Sequence, residues 1–315
     1  MQPDQLRDKP ACWPQEINRA AEGIRRRVLE HTIRNGGGYL SQACSAAEIF
    51  ATLYLRVLNL GEVTNPLEPA PFPGVPGPGN TGYFTGAAYN GPKSEHNDRF
   101  FLSPSQYSLV LYATLIEVGR MSSNGLDHFN KDGGVVEMIG AEHSPGMEIM
   151  TGSLGQGISQ AAGIAMARKL KGETGKVVLF LSDGECQPGQ FWEAVQVISH
   201  YRLDNILAYV DINGYQCDGR VETVMNIEPL EKRLESFGAR VFRIDGHDVE
   251  LLAALGRAKT DGRPTFILCD TDSCRGVAVL KERIPKMHYV RFTGEAEKKK
   301  YQQAYEQLRQ GCMGG

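Results

Sequence analysis

Asp183, Gly184 and Asn213 are the residues of this 315-residue chain whose types and spacing point most directly to chemistry. An apolar run, Val177-Val-Leu-Phe-Leu-Ser-Asp-Gly-Glu185, ends in Asp-Gly, and Asn213 follows thirty residues after Asp183 in Asp211-Ile-Asn213-Gly-Tyr215. A carboxylate and an amide oxygen are hard donors suited to a cation such as Mg2+, and the glycine lets a diphosphate approach the backbone closely. An isolated Asp-Gly would read as a surface turn; the Asn at this spacing makes the pair a candidate cation–diphosphate site. That reading requires the two residues to be neighbours in space. A second apolar run, Asn205-Ile-Leu-Ala-Tyr-Val210, precedes Asn213, with a helix-like segment between the two runs. Two parallel strands joined by a crossover helix bring Asp183 and Asn213 side by side at the carboxyl edge of a sheet.

Thr151-Gly-Ser-Leu-Gly-Gln-Gly157 is a second informative stretch, a glycine-rich turn opening a helix that runs to about Leu170. Glycines at a helix start expose N–H groups to a phosphate or a flat heterocycle, although tight helix packing explains such a turn equally well. Around these motifs, residues 15–35 have the spacing of an amphipathic helix stopped by Gly36-Gly37-Gly38. A helix over Ser45–Leu58 is expected from a Ser N-cap with Glu48 three residues on. Arg99–Leu102 predicts a strand, followed by a helix over Leu109–Met121. A helix near 229–237, a strand Arg240–Ile244, a helix Val249–Ala258 and a strand Thr265–Cys269 complete an alternation that implies an α/β fold, a doubly wound parallel sheet with helices on both faces. Residues 15–293 are expected to form the main domain, preceded by an arm over 1–14 and followed by a polar helix and tail over 294–315. Residues 65–92 are dense in Pro and Gly and cannot propagate a helix or a central strand. The aromatic residues Phe72, Tyr83, Phe84 and Tyr89 favour an ordered, lid-like loop there over a disordered excursion.

The composition, 41% hydrophobic and 23% charged, is that of an ordinary globular protein. A net charge of -3 gives no reason to expect nucleic acid or an anionic membrane as partner. Seven scattered cysteines without a Cys-x-x-Cys pair argue for free thiols in a reducing compartment. With no apolar signal core or spanning run in the sequence, the expected location is cytoplasmic.

Together the two motifs resemble those of the thiamine-diphosphate enzymes, and within them the transketolase family, whose metal motif is Gly-Asp-Gly followed at this spacing by Asn. Here Ser182 replaces the first Gly, a mild departure because the cation needs the carboxylate and the turn more than the preceding residue. The resemblance implies that Asp183 and Asn213 are Mg2+ ligands, that Tyr215 adds its backbone carbonyl, and that Gly184 lies under the diphosphate of bound thiamine diphosphate. The family's similar glycine turn implies that Gly152 and Leu154 flank the thiamine. Ser153 and Glu185 fall among the cofactor-binding positions. His288 matches a histidine that reaches the diphosphate and the substrate, where an imidazole can relay protons. Glu193 matches a member of a carboxylate chain linking paired cofactor sites; its plainer reading is a glutamate favoured by a helix dipole. Asp245-Gly-His-Asp248 also recurs in the family and reads best as a turn capping the next helix.

The departures concern the substrate. Gly37-Gly38-Tyr39-Leu40-Ser41 stands where the family has Gly-His-Pro-Gly, and Ser103-Pro-Ser-Gln106 where it has Ser-Lys-Gly-His. Ile139-Gly-Ala-Glu-His143 is a shortened, shifted third histidine motif. Tyr39, Gln106 and His143 can still donate hydrogen bonds in catalysis, but Gln106 cannot act as a general acid or base at neutral pH. The resemblance spans roughly residues 15–310, the half of a full transketolase that binds diphosphate and metal. The 45 residues after 270 are too few to supply the pyrimidine-binding half with its activating glutamate. The resemblance therefore implies one subunit of a split enzyme, paired with a separate pyrimidine-binding subunit as an α2β2 heterotetramer. Its expected reaction is transfer of a two-carbon ketol unit from a ketose (phosphate) donor to an aldehyde acceptor. The alternatives are transfer to a lipoyl group or carrier protein, and, less favoured because the metal ligands are intact, a non-catalytic regulatory subunit.

Overall fold

The computed structural model describes residues 12–150 and 152–313; the expected arm over 1–14 falls mostly outside them, as does Thr151 of the glycine turn. Along the chain run α1 (Trp13–Arg34), β1 (Gly37–Gly38), α2 (Leu40–Thr52), β2 (Arg99–Leu102), α3 (Ser108–Glu117), α4 (Gly157–Lys171), β3 (Val177–Ser182), α5 (Gly189–His200) and β4 (Ile206–Ile212). Then follow β5 (Tyr215–Gln216), β6 (Gly219–Arg220), α6 (Val221–Val224), α7 (Leu230–Ser236), β7 (Arg240–Asp245), α8 (Val249–Arg257), β8 (Thr265–Asp270), β9 (Val290–Arg291) and α9 (Glu295–Met313). The central sheet is parallel throughout, in the order β2-β3-β4-β8-β7.

Side-chain alternation explains the double winding. In β3, Val178 and Phe180 join the core shared with α1, α2, α3 and α8, while Val177, Leu179 and Leu181 join the core shared with α4, α5 and α7. A strand buried on both faces reads as an unbroken apolar run, as Val177–Leu181 does. Each large side chain removed from water there contributes about 1.5–3 kcal/mol. That core holds the strand ends, and so the residues just beyond them, in place.

Several elements differ in detail from the sequence expectation. The second helix starts at Leu40, so Ser45 lies inside it, fully buried, and caps nothing. The antiparallel ladder of β1 with β9 fixes the chain up to Gly38 and lets the helix begin directly after Tyr39. Ser45 Oγ instead donates to Asp211 Oδ2 (2.6 Å), and Glu48 is bound by Arg25, Arg275 and His247 rather than closing a capping box. Asp248 does cap α8, accepting from the N–H groups of Glu250 and Leu251. The C-terminal helix is polar on its outer side, yet it packs on α1 and buries Tyr301 in the main core.

The Pro/Gly segment 65–92 is an ordered loop. It bridges Leu67 to Met121, its Phe72 N–H donates to Gly133 O (2.8 Å), and Tyr89 enters the core. No helix among the described residues is long and apolar enough to cross a membrane.

Candidate cofactor and cation site

The register of β3 on β4 pairs Ser182 with Asp211, so both strands end at the same level and release Asp183 and Asn213 at the sheet's carboxyl edge. Asp183 Oδ2 accepts from Gly214 N (2.9 Å) and Oδ1 from Gly184 N (2.8 Å), which ties the two strand tips together. Gly214, at φ +74°, makes the turn possible without strain. Asn213 Oδ1 accepts from Tyr215 N (2.9 Å). Its Nδ2 donates to Tyr107 OH (3.0 Å) and Asp211 Oδ2 (3.1 Å).

Beneath the tips Asp211, with no exposed surface, is saturated. It accepts from Ser45 Oγ and Tyr107 OH (2.6 Å each) and Thr271 Oγ1 (2.5 Å), besides Asn213. Burial, and after it the Asp211 charge, pushes the Asp183 carboxyl up to about 7, against the pull of the backbone N–H groups of Gly214, Gly184 and Asn213.

These tips border a cavity of about 320 Å³. Eight of the residues singled out in the sequence line it: Gln106, Gly152, Leu154, Asp183, Gly184, Asn213, Tyr215 and His288. His288 is brought in by β9; Gln42 Nε2 lies 3.4 Å from its Nδ1, and Tyr39 meets its ring edge-on at 5.6 Å. Burial lowers His288 below the ordinary histidine value, with Asp218 opposing in part. Burial raises Tyr39, which stays a protonated donor beside His288.

The remaining expected residues do not line the cavity. Ser153 is exposed on the turn. Glu185 is buried behind that turn, where Oε2 accepts from Ser103 Oγ (2.5 Å) and Gly155 N (3.1 Å); it shapes the glycine turn from beneath. Burial raises Glu185 to about 7 against those two hydrogen bonds. His143 is held by Glu137 (3.0 Å) and packed at a tilt against Phe72 of the Pro/Gly segment, with ring centroids 4.6 Å apart. Glu193 is exposed on α5. Sequence reasoning missed Tyr107, Ser182, Gln216, Cys217 and Asp218 in the lining, and Asp211 beneath it. Asp211 was signalled by its place two residues before Asn213 on one strand face; Tyr107 carried no signal beyond standing next to Gln106.

The residues present fit a cation carrying a diphosphate. The side-chain donors at the tips are oxygens, and among the described residues no three His, Cys, Asp or Glu side chains form a metal cluster. One carboxylate, one amide and a carbonyl leave half of a hard cation's six positions to water and ligand oxygens, the usual Mg2+–phosphate arrangement. A Cβ added at Gly184 would meet nothing closer than 3.9 Å, so the protein's own packing does not demand glycine there. A ligand lying on the backbone would.

Comparison with known proteins gives the family of the chain. Residues 83–305 match the family described as Transketolase, thiamine diphosphate binding domain. The chain is 34% identical, over 84% of its length and 88% of the relative's, to the uncharacterized transketolase family protein y4mO of Sinorhizobium fredii (strain NBRC 101917 / NGR234). It is 29% identical to the 6-deoxy-6-sulfo-D-fructose transketolase subunit SqwG of Clostridium sp. (strain MSTE9), over 89% of this chain and 93% of the relative. Transketolase of Homo sapiens is 29% identical over 85% of this chain, but only 39% of the human protein is covered. Among solved structures, transketolase from Campylobacter jejuni superposes with a TM-score of 0.69 at 22% identity, over 97% of this chain and 48% of that one. The chain thus spans less than half of the full-length transketolases it matches. It belongs to the transketolase family and carries that family's thiamine diphosphate binding domain.

Proposed function

We propose that this chain is the cofactor-binding subunit of a two-subunit transketolase. It acts in the cytoplasm and transfers a two-carbon ketol unit from a ketose or ketose phosphate to an aldehyde. The observation that carries this reading is the junction of the two strand tips, where Asp183 accepts from Gly214 beside an Asn213 whose amide is clamped by Tyr107 and Asp211. Asp183, Asn213 and the Tyr215 carbonyl would hold Mg2+, and Gly184 would admit the diphosphate. Thiamine diphosphate, once bound, would supply the nucleophilic carbon that cleavage next to a ketose carbonyl requires. His288 can donate to a diphosphate oxygen or a substrate hydroxyl and move a proton between partners. Gln106 and Tyr39 orient by hydrogen bonding; Leu154 and Gly152 offer an apolar wall.

A separate pyrimidine-binding subunit, assembled as α2β2, is part of the proposal. It is supported by the near full-length match to a relative described as a transketolase subunit, set against 39% coverage of the human enzyme. The exposed Glu193 is then available to a neighbouring subunit. The test is equilibrium binding of thiamine diphosphate to the chain with its partner, with and without Mg2+, followed by a ketose phosphate–aldehyde assay. Mg2+-independent binding, or none, refutes the reading.

One observation favours a second acceptor. His143, matched to a substrate histidine, is occupied by Glu137 and Phe72 and is absent from the cavity lining. A carrier-bound lipoyl group would need no such histidine. Running one donor with a free aldehyde and with a lipoylated carrier separates the two.

A further inference from the structure

Two polar groups at the cavity have no partner among the described residues. Ser182 Oγ, on a residue 3% exposed, makes no hydrogen bond, and neither does Gln216 Nε2; both residues line the cavity. They converge on one place, since a Cβ built on Gly184 would have Gln216 Oε1 at 3.9 Å and Ser182 Oγ at 4.0 Å as its nearest neighbours. The groups around them are satisfied: Asp183 accepts from two backbone N–H groups and Asp211 from four side chains.

A buried hydroxyl without a partner burdens the fold, and native proteins rarely keep one unless something else supplies the acceptor. Its location narrows what that is. Ser182 closes β3 immediately before Asp183, at the position where the chain departs from the family's metal motif. A diphosphate presents acceptor oxygens, and a hydroxyl and an amide N–H are donors that can reach from either side of Gly184.

We infer that the Ser182 hydroxyl, with the Gln216 amide beside it, anchors the diphosphate by donating hydrogen bonds to its oxygens, in addition to the hold exerted through the cation. This rests on the proposed cofactor reading. Gln216 sits on the two-residue β5–β6 ladder, half-buried, so its side chain can turn its Nε2 toward Gly184. Ser182, at the end of a fully buried strand, is the fixed member of the pair.

The test compares the parent chain with Ser182→Ala and Gln216→Met, each with its partner subunit where binding requires it. Calorimetry gives dissociation constants for thiamine diphosphate and for inorganic pyrophosphate at saturating Mg2+; melting of the unliganded proteins gives their stability. Ser182→Ala should weaken both ligands by about tenfold or more, the loss expected for a hydrogen bond to a charged group. The same change should leave the unliganded melting temperature unchanged or raise it by about 2 °C, because an unpaired hydroxyl has been removed. Gln216→Met should weaken both ligands less, in the same direction. A merely structural serine would lower the melting temperature and spare the affinity. Unchanged affinities in Ser182→Ala, or a loss for thiamine diphosphate but not for pyrophosphate, overturns this inference alone. Failure of the parent to bind thiamine diphosphate removes the functional reading along with it.

Discussion

Two buried acids in this molecule are equally hidden and oppositely surrounded. Asp183 and Glu48 are each 3% exposed. Glu48 sits among Arg25, Arg275 (3.2 Å) and His247 (3.0 Å), with Asp272 N–H donating to His247 Nε2 so that Nδ1–H faces the carboxylate. Asp183 has backbone N–H groups and a second acid nearby, but no cationic side chain bonded to it among the described residues. Burial alone would raise Glu48, yet the His247 hydrogen bond and the Arg25 charge and hydrogen bond bring it down to about 2. Asp183 goes the other way. An acid neutralised from within the chain serves the fold, whereas one left short of positive charge at a cavity wall is a candidate to receive it from outside, as proposed for Asp183.

The largest effect that would sharpen this contrast is on ligand affinity. Asp183→Asn should weaken Mg2+-dependent thiamine diphosphate binding by about a hundredfold or more, since even residues behind a metal ligand are worth 10–100-fold. Its unliganded melting temperature should change little, because relief of a buried charge offsets the loss of one of the two oxygens that accept from Gly184 and Gly214. Glu48→Gln should do the reverse. Leaving Arg25 and Arg275 without their acid should cost about 3–5 kcal/mol in denaturant unfolding, while cofactor affinity of the folded fraction stays within about twofold. A Glu48→Gln protein as stable as the parent would erase the distinction.

Acid should act through Glu48 next. Its folded value is depressed, so its stabilisation is complete above the unfolded value of 4.5 and disappears as pH falls toward about 2. That loss is on the order of 3 kcal/mol. Urea midpoints between pH 6 and 2 should show it, and Glu48→Gln should flatten that part of the curve. Smallest is Tyr107→Phe, which deletes the hydroxyl bridging Asn213 and Asp211. Mg2+ affinity should fall by about tenfold with the fold intact; no change would mean that Asn213 needs no such clamp.

Much of this was legible beforehand, and for physical reasons. The apolar run Val177–Leu181 and its Asp-Gly end announce a doubly buried strand and its tip, because burial and turn chemistry are local properties. Asp183 and Asn213 could be paired because a right-handed crossover leaves parallel strands few ways to lie. Ser45 was misread for the opposite reason: Asp211, its true partner, lies 166 positions away, and local capping patterns say nothing of that. Tyr107 reaches the same acid across 104 positions. His143 was expected at the substrate, but the Pro/Gly segment brings Phe72 onto its ring, a loop contact that spacing does not encode.

The ladder of β1 with β9 bears on how the protein is made. The five-stranded sheet has all its strands once residue 270 has been synthesised, whereas His288 is positioned only when Val290 and Arg291 emerge to pair with Gly38 and Gly37. Synthesis proceeds from the N-terminus, although a domain generally folds as a unit. A chain stalled before β9 therefore carries the strand tips of Asp183 and Asn213 but not the ladder that seats His288, so that wall of the cavity is completed only once β9 has been made.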